Sequence, residues 1–306
     1  MMKQISIGGK FDAAAISLGC MRINELSKKE AEILIRTSMD LGINFFDHAD
    51  IYGAGKAESF FAEAVEMSPA IRDSMIIQTK CAIRPNVAFD FSKQHIINSV
   101  DGSLKRLRTD YVDILLLHRP DTLMEPEEVA EAFEELEKSG KVRYFGVSNQ
   151  NPGQIALLSK FCKCKILINQ LQLSIAHCPM IDSGLNVNIV SEAAAMREGG
   201  VLEYCRLHDI TIQAWSPFQY GMFKGVFLGN KKYKELTKEV DILAKKYDVS
   251  DSAIVVAWIL RHPAGIQTIV GTTNKDRLRD IAKAADISLT REEWYRLYMA
   301  SGKILP

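Results

Sequence analysis

Four ionisable side chains at the ends of apolar segments could together carry proton-transfer chemistry. Asp47 ends the segment 44–47 and Tyr52 follows five residues later, while Lys80 ends 75–80 and His118 ends 111–118. A free phenol has a pKa of about 10, and an ammonium group beside it lowers that pKa because it stabilises the phenolate. We therefore expect Lys80 to make Tyr52 a usable general acid, with Asp47 holding Lys80 charged. His118 would donate a hydrogen bond to a substrate oxygen as negative charge develops on it.

Each of these residues also has an ordinary structural explanation. An aspartate can cap a helix, a tyrosine or lysine can lie at the surface, and a lone histidine can be a satisfied core residue. Their common position at the ends of apolar strands favours the catalytic interpretation, because a parallel barrel gathers the C-terminal ends of its strands at one face. We predict that the four side chains meet at that face.

The alternation of strand and helix patterns predicts the fold class as α/β, a (β/α)8 TIM barrel with an N-terminal β-hairpin and extra helices. The hairpin covers 4–14, with Gly8 and Gly9 in its turn. The predicted barrel strands are 16–20, 44–47, 75–80, 111–118, 142–148, 166–171, 210–215 and 266–270. The predicted helices are 28–41, 56–66, 93–107, 126–139, 153–161, 201–207, 231–247, 252–261, 275–285 and 292–299. Because no linker-like stretch interrupts this order, residues 1–306 are expected to form a single domain.

One connection is longer than the others. About thirty residues separate the sixth strand from its helix, and long loops inside a domain are often functional. We predict that 173–200 shapes the substrate pocket as a lid. The alternative is a surface excursion that packs for stability, since long insertions cost little entropy.

Composition limits the partners and the compartment. The chain has 38 basic and 38 acidic residues, so its formal net charge is zero and nothing attracts nucleic acid or anionic lipid. The N-terminus lacks the apolar core of a secretory signal, and no later apolar run is long enough to cross a bilayer. We expect a cytoplasmic protein, a monomer or weak homo-oligomer, with its six cysteines reduced. The cysteine spacings match no usual zinc framework, so no metal is predicted.

The motif G-I-N-F-F-D-x-A-x-x-Y-G-x-G-x-x-E at 42–58, together with Lys80 and His118, resembles the catalytic tetrad region of the aldo-keto reductase family. The loop 184–188 and the segment 292–295 resemble the YdhF-type subgroup of bacterial oxidoreductases. The resemblance implies reduction of aldehyde or ketone carbonyls to alcohols with NADPH, with Tyr52 as the general acid. The hydride would come from the nicotinamide, because side chains do not supply it. His48 stands where many relatives have threonine, and we expect it to alter the mouth of the site.

Two other functions stay open. A chain with this barrel could be a cofactor-binding regulatory subunit of a protein complex, as potassium-channel β subunits are, although the intact tetrad argues against it. It could also be an NAD-linked alcohol dehydrogenase, which would use the same catalytic residues as the carbonyl reductase but a different cofactor.

The cofactor residues follow from the resemblance, because no G-x-G-x-x-G fingerprint follows the first strand. The nicotinamide amide would bind Ser148, Asn149 and Gln170, and its ring would stack on Trp215. The pyrophosphate would meet Ser216, Phe218 and Gly221.

A phosphate seat is expected at the N-terminus of the helix after the eighth strand. This phosphate site would consist of Gly271, Thr272 and Thr273, and Arg277 would bind the 2′-phosphate of NADPH. The family pattern has Lys-Ser and Glu-Asn where this chain has Gly271-Thr272 and Asp280-Ile281. The arginine favours NADPH over NADH, and the two departures weaken that preference. The alternative for Arg277 is a solvated charge on a helix.

Overall fold

Eight parallel strands form a closed barrel in the computed structural model, which describes residues 2–305. The strands of the protein are β1 (Gln4–Ile7), β2 (Phe11–Ala14), β3 (Ile16–Gly19), β4 (Phe45–Asp47), β5 (Ile76–Cys81), β6 (Ile83–Arg84), β7 (Ala88–Phe89), β8 (Val112–Leu117), β9 (Val142–Ser148), β10 (Ile166–Gln172), β11 (Thr211–Trp215) and β12 (Gln267–Val270). Around the barrel the order is β3, β4, β5, β8, β9, β10, β11 and β12, and β12 pairs with β3 to close it. β6 and β7 pair with each other in a small hairpin beside the barrel. The predicted barrel is confirmed.

Helices follow the barrel strands on the outside. They are α1 (Lys28–Asp40), α2 (Lys56–Ala64), α3 (Pro69–Asp73), α4 (Lys93–Leu107), α5 (Pro126–Lys138), α6 (Pro152–Phe161), α7 (Pro179–Leu185), α8 (Val201–Leu207), α9 (Lys234–Tyr247), α10 (Asp251–Leu260), α11 (Lys275–Ala282) and α12 (Arg291–Ala300). Local capping signals explain several starts. The Ser27 hydroxyl accepts the backbone N–H of Glu30 at 3.3 Å, and the Glu30 carboxylate accepts the backbone N–H of Ser27 at 2.9 Å.

The hairpin of β1 and β2 closes one end of the barrel. Ile7 and Ala13 belong to a buried apolar cluster with the barrel residues Phe45, Ile114, Leu116, Leu167 and Ile168. Gly8 has a φ of 57°, and a side chain there would approach Leu167 Cδ2 within 2.6 Å. The turn therefore requires glycine.

The long segment 173–200 contains a helix that the sequence analysis did not predict. α7 has proline at its first turn, where the missing N–H is no loss. The hydroxyl of Tyr298 donates to Asp182 Oδ1 at 2.9 Å, and Lys303 Nζ donates to the carbonyl of Ile175 at 2.6 Å. At its start, Ser174 Oγ donates to the Gln219 carbonyl at 2.7 Å. The segment is thus tied to the C-terminal region and to the loop after β11; its role as a lid stays a prediction.

The main apolar core lies between the barrel and the helices. The indole rings of Trp258 and Trp294 stack with centroids 4.6 Å apart. Each indole N–H donates to the backbone carbonyl of the other tryptophan, at 3.1 and 3.0 Å. This double contact attaches α12 to α10. Within residues 2–305, no helix is both long enough and apolar enough to span a membrane.

Candidate active site

The structure brings the four predicted side chains together at the end of the barrel opposite the hairpin. Lys80 Nζ lies 2.8 Å from Asp47 Oδ2 and 3.1 Å from the Tyr52 hydroxyl. The rings of Tyr52 and His118 meet edge to face with centroids 6.0 Å apart. Lys80 is fully buried, Asp47 is nearly so, and Tyr52 and His118 are half-buried. An ammonium group, its carboxylate counter-ion, a phenol and an imidazole therefore lie together at this end of the barrel.

Strand alternation explains why Asp47 faces inward and its neighbours do not. Along β4 and its end, Asp47 points into the barrel, whereas Phe46 and His48 point toward the helices. The His48 imidazole contacts Phe61 of α2 edge to face at 4.6 Å. It lies away from the mouth, so the expectation that it alters the pocket is wrong. Its backbone carbonyl, however, accepts a hydrogen bond from Lys80 Nζ at 2.8 Å.

Beneath Asp47 lies a layer of glutamine side chains that the sequence analysis did not identify as a group. Asp47 Oδ1 accepts the amide of Gln78 at 2.6 Å and that of Gln170 at 3.0 Å. Both amides also donate to Gln213 Oε1, at 2.9 and 3.0 Å. Gln213 in turn donates to Gln267 at 2.7 Å. The carboxylate is thus held by two amides in addition to Lys80, which fixes its orientation.

The environment shifts the pKa values of the site in different directions. Burial alone lowers the pKa of Lys80, but the Asp47 carboxylate and Tyr52 oppose it, and the pKa is raised overall. Burial, followed by the charges of Lys80 and Arg119, holds the pKa of His118 well below its ordinary range. Near neutral pH the amine is therefore charged and the imidazole neutral.

The phenol differs from the prediction. Burial raises the pKa of Tyr52, the charge of Asp47 adds to that rise, and together they outweigh the lowering by Lys80. The expected lowering of the Tyr52 pKa is therefore wrong in its net direction, because desolvation and the nearby carboxylate disfavour the phenolate more than the cation favours it. Lys80 does lower the Tyr52 pKa, as expected, but the net rise means that the phenol keeps its proton at neutral pH.

Three of the residues assigned to the nicotinamide form one polar edge of the mouth. The indole N–H of Trp215 donates to Asn149 Oδ1 at 3.1 Å, and Asn149 Nδ2 donates to Ser148 Oγ at 2.7 Å. Asn149 has a φ of 58°, a left-handed conformation that asparagine tolerates. Gln170 is different, because its amide nitrogen is already bound to Asp47 and Gln213.

The residues assigned to the pyrophosphate lie in a folded loop after β11. Ser216 has a φ of 52°, and its carbonyl accepts the backbone N–H of Gln219 at 3.1 Å. The carbonyl of Phe218 accepts the N–H of Phe227 at 3.0 Å, and Gly221 is buried. This loop begins at Trp215, so it lies beside the mouth.

At the predicted phosphate site, a side chain of the protein already binds some of the backbone N–H groups. Asn274 Oδ1 accepts the backbone N–H groups of Asp276 and Arg277, each at 2.9 Å, so these donors of α11 are already capped. Thr272 Oγ1 accepts the N–H of Asn274 at 3.2 Å, and Gly271 and Thr273 lie in the same short loop between β12 and α11. Two of the backbone N–H donors of the expected phosphate site are therefore already used by the protein. The Arg277 side chain is exposed and has no salt bridge within the described chain.

Two arginines at the mouth were missed by the sequence analysis. Arg22, after β3, donates to the carbonyl of Gly271. Arg119 directly follows His118, and its guanidinium carbon lies 5.7 Å from the centroid of the Trp215 ring. Both arginines could have been identified from the sequence, because each follows a predicted barrel strand within a few residues.

Comparisons with known proteins identify the family of this chain. The family model described as "Aldo/keto reductase family" matches residues 15–300. The chain is 36% identical to the uncharacterized oxidoreductase YcsN of Bacillus subtilis (strain 168), over 98% of each protein. It is 34% identical to the oxidoreductase YdhF of Escherichia coli (strain K12), over 90% of this chain and 89% of that protein.

The fold is shared with solved structures as well. An aldo/keto reductase from Klebsiella pneumoniae, solved in complex with NADP and acetate, superposes with a TM-score of 0.76 at 24% identity, over 97% of this chain and 94% of that one. The match of the family model over nearly the whole chain, on a barrel with these side chains at its mouth, shows that the protein belongs to the aldo/keto reductase family.

Proposed function

We propose that the protein reduces aldehyde or ketone carbonyls to alcohols with NADPH, with Tyr52 as the proton donor. The observation that carries this proposal is the position of Lys80 Nζ, buried and within hydrogen-bond distance of both Asp47 and the Tyr52 hydroxyl. A buried amine between a carboxylate and a phenol is a costly arrangement, and perturbed groups of this kind concentrate at functional sites.

Each side chain then has a defined task. The hydroxyl proton of Tyr52 passes to the carbonyl oxygen, and the Lys80 ammonium stabilises the phenolate that remains. Asp47 keeps Lys80 charged and directed at Tyr52. Neutral His118 donates a hydrogen bond to the same carbonyl oxygen and orients the substrate. When bound, the reduced nicotinamide supplies the hydride that the carbonyl carbon accepts.

The residues at the mouth suit such a cofactor. Ser148, Asn149 and Trp215 offer hydroxyl, amide and aromatic contacts next to His118, whose carbonyl accepts a hydrogen bond from Asn149 at 3.4 Å. Gln170 lies beneath them, bound to Asp47. The Arg277 side chain is exposed and has no salt bridge among residues 2–305, and Arg22 lies beside Gly271. These two cations favour NADPH over NADH, which lacks the 2′-phosphate. The Klebsiella relative, which was solved with NADP, supports this choice.

The test is turnover of NADPH with a panel of aldehydes by Tyr52→Phe. General acid catalysis contributes roughly 10²- to 10⁴-fold, so kcat should fall by that factor while the affinity for NADPH is kept. Tyr204→Phe is the control, because Tyr204 lies on α8 and packs on His208, outside the site. If Tyr52→Phe reduced aldehydes at the parental rate, Tyr52 would not be the acid. Tight NADPH binding without turnover in the parent would instead favour the regulatory-subunit alternative.

A further inference from the structure

Arg119 places a cation at the mouth that the proposed chemistry does not use. Its guanidinium lies over the Trp215 ring at 5.7 Å, and one terminal nitrogen lies 3.9 Å from the sulfur of Met222. It is half-buried, and its charge is near enough to His118 to help lower the pKa of that imidazole. The arginine therefore lies within the site rather than on the outer surface.

No carboxylate neutralises this cation in the part of the chain that the structure describes, residues 2–305. Asp121, two residues further on, accepts the backbone N–H groups of Phe91 at 2.9 Å and Leu123 at 2.8 Å instead. Asp47 is paired with Lys80 at 2.8 Å. Burial lowers the pKa of Arg119, and the only opposing effect comes from Tyr52. A guanidinium is nevertheless a permanent cation at physiological pH.

A partly buried cation without a counter-ion is unfavourable unless a ligand supplies the anion. Arginine also suits planar carboxylates, because its N–H groups can bind both oxygens. We propose that Arg119 forms an anion subsite and that the preferred substrates are oxo-acids, in which a carboxylate lies a few bonds from the carbonyl to be reduced. This inference rests on the proposed function, since it requires the carbonyl to lie over Tyr52 and His118.

The 2′-phosphate of the cofactor is a less suitable occupant. Arg119 follows β8, whereas the predicted phosphate seat follows β12, and four steps around an eight-stranded barrel separate these strands. Arg22 and Arg277 already lie on the β12 side. Arg119 does contact Trp215 and Met222, beside the residues assigned to the pyrophosphate, so the pyrophosphate is the competing anion. We assign the anion at Arg119 to the substrate because Arg119 directly follows His118, and a raised KM for NADPH in Arg119→Met would identify the pyrophosphate instead.

The experiment compares two substrates that differ in one charge, terephthalaldehydic acid and its methyl ester. Both carry the same aldehyde on the same ring. Arg119→Met should lower kcat/KM for the acid roughly 10- to 100-fold, mainly through KM, because a charge-assisted hydrogen bond is lost. The ester should change less than about 3-fold, and the KM for NADPH should stay constant. Arg119→Lys should recover part of the loss. Arg84→Met, which removes an arginine paired with Asp90, is the control and should leave both substrates unaffected.

The outcomes are distinguishable. Equal losses of kcat/KM for the acid and the ester would mean that Arg119 acts only by packing on Trp215. A raised KM for NADPH would mean that Arg119 binds the cofactor. Either result overturns the inference. A parent enzyme that reduces the ester as well as the acid also overturns it, while the proposed function stands. If Tyr52→Phe reduced both substrates at the parental rate, the proposed function would fail instead.

Discussion

Replacing Lys80 with methionine separates the structural role of the buried ion pair from its chemical role. The amine is fully buried, and the Asp47 carboxylate is 4% exposed at 2.8 Å from it. Removing one partner of such a pair leaves an uncompensated charge, which costs about 3–5 kcal/mol of the free energy of unfolding. The amides of Gln78 and Gln170 still donate to Asp47, so we expect the lower end of that range.

The double variant Lys80→Met/Asp47→Asn should recover most of this loss. Asparagine keeps an oxygen for the two glutamine amides but carries no charge, and neutral replacements of buried pairs are often tolerated. We expect it to be at least about 2 kcal/mol more stable than Lys80→Met alone. Both variants should lose about 10²- to 10⁴-fold in turnover, because Tyr52 would lose the cation that is proposed to stabilise its phenolate.

Urea unfolding measures the first effect and oxidation of NADPH with an aldehyde the second. Lys283→Met is the matched control, because Lys283 pairs with Asp280 on the surface of the protein, where about 0–1 kcal/mol is typical. If the double variant were as unstable as the sum of the two single changes, the amine and the carboxylate would not be coupled in the folded protein. Full turnover by Lys80→Met would refute the chemical role of the amine.

Three further predictions follow from buried or charged groups. The pKa of His48 is lowered by burial from 6.5 to about 3, so below 6.5 the unfolded chain binds a proton there that the folded protein does not. Stability should therefore fall as the pH drops, by about 2 kcal/mol at about pH 5 from this group, and His48→Leu should reduce the difference between urea unfolding at about pH 7 and 5. Arg277→Ala should raise the Kd of NADPH roughly 10- to 100-fold and leave NADH unchanged, as measured by cofactor titration; an equal loss for both would contradict a 2′-phosphate contact. Gln213→Leu should lower the free energy of unfolding by about 2 kcal/mol or more, because it leaves the amides of Gln78 and Gln170 with fewer acceptors, and an unchanged urea midpoint would contradict that role.

Local sequence patterns were sufficient for the barrel and for the positions of the four site residues. Apolar strands of regular spacing and capping signals such as Ser27 with Glu30 act within a few residues, so they can be read along the chain. The ends of parallel strands meet at one face, which made the clustering of Asp47, Lys80 and His118 predictable.

Features that depend on residues far apart in the chain required the tertiary structure. Helix α7 has seven residues, too few to be stable alone. Its Asp182 is contacted by the Tyr298 hydroxyl at 2.9 Å and by Lys303 Nζ at 3.9 Å, both from the C-terminal region. The sequence pattern also did not reveal that Asn274 caps the donors assigned to a phosphate, because the same residue types serve either purpose.

The sequence alone determined which ionisable side chains meet at the C-terminal ends of the barrel strands, because residue type and strand position are local properties. Only the tertiary structure decided their electrostatic state. The Tyr52 pKa is raised rather than lowered because burial is set by the whole fold, and Asp47 is oriented by glutamines on strands that closure of the barrel brings together. Whether a cation such as Arg119 has a counter-ion likewise depends on every element that packs around the mouth, since Coulomb interactions act through space rather than along the chain.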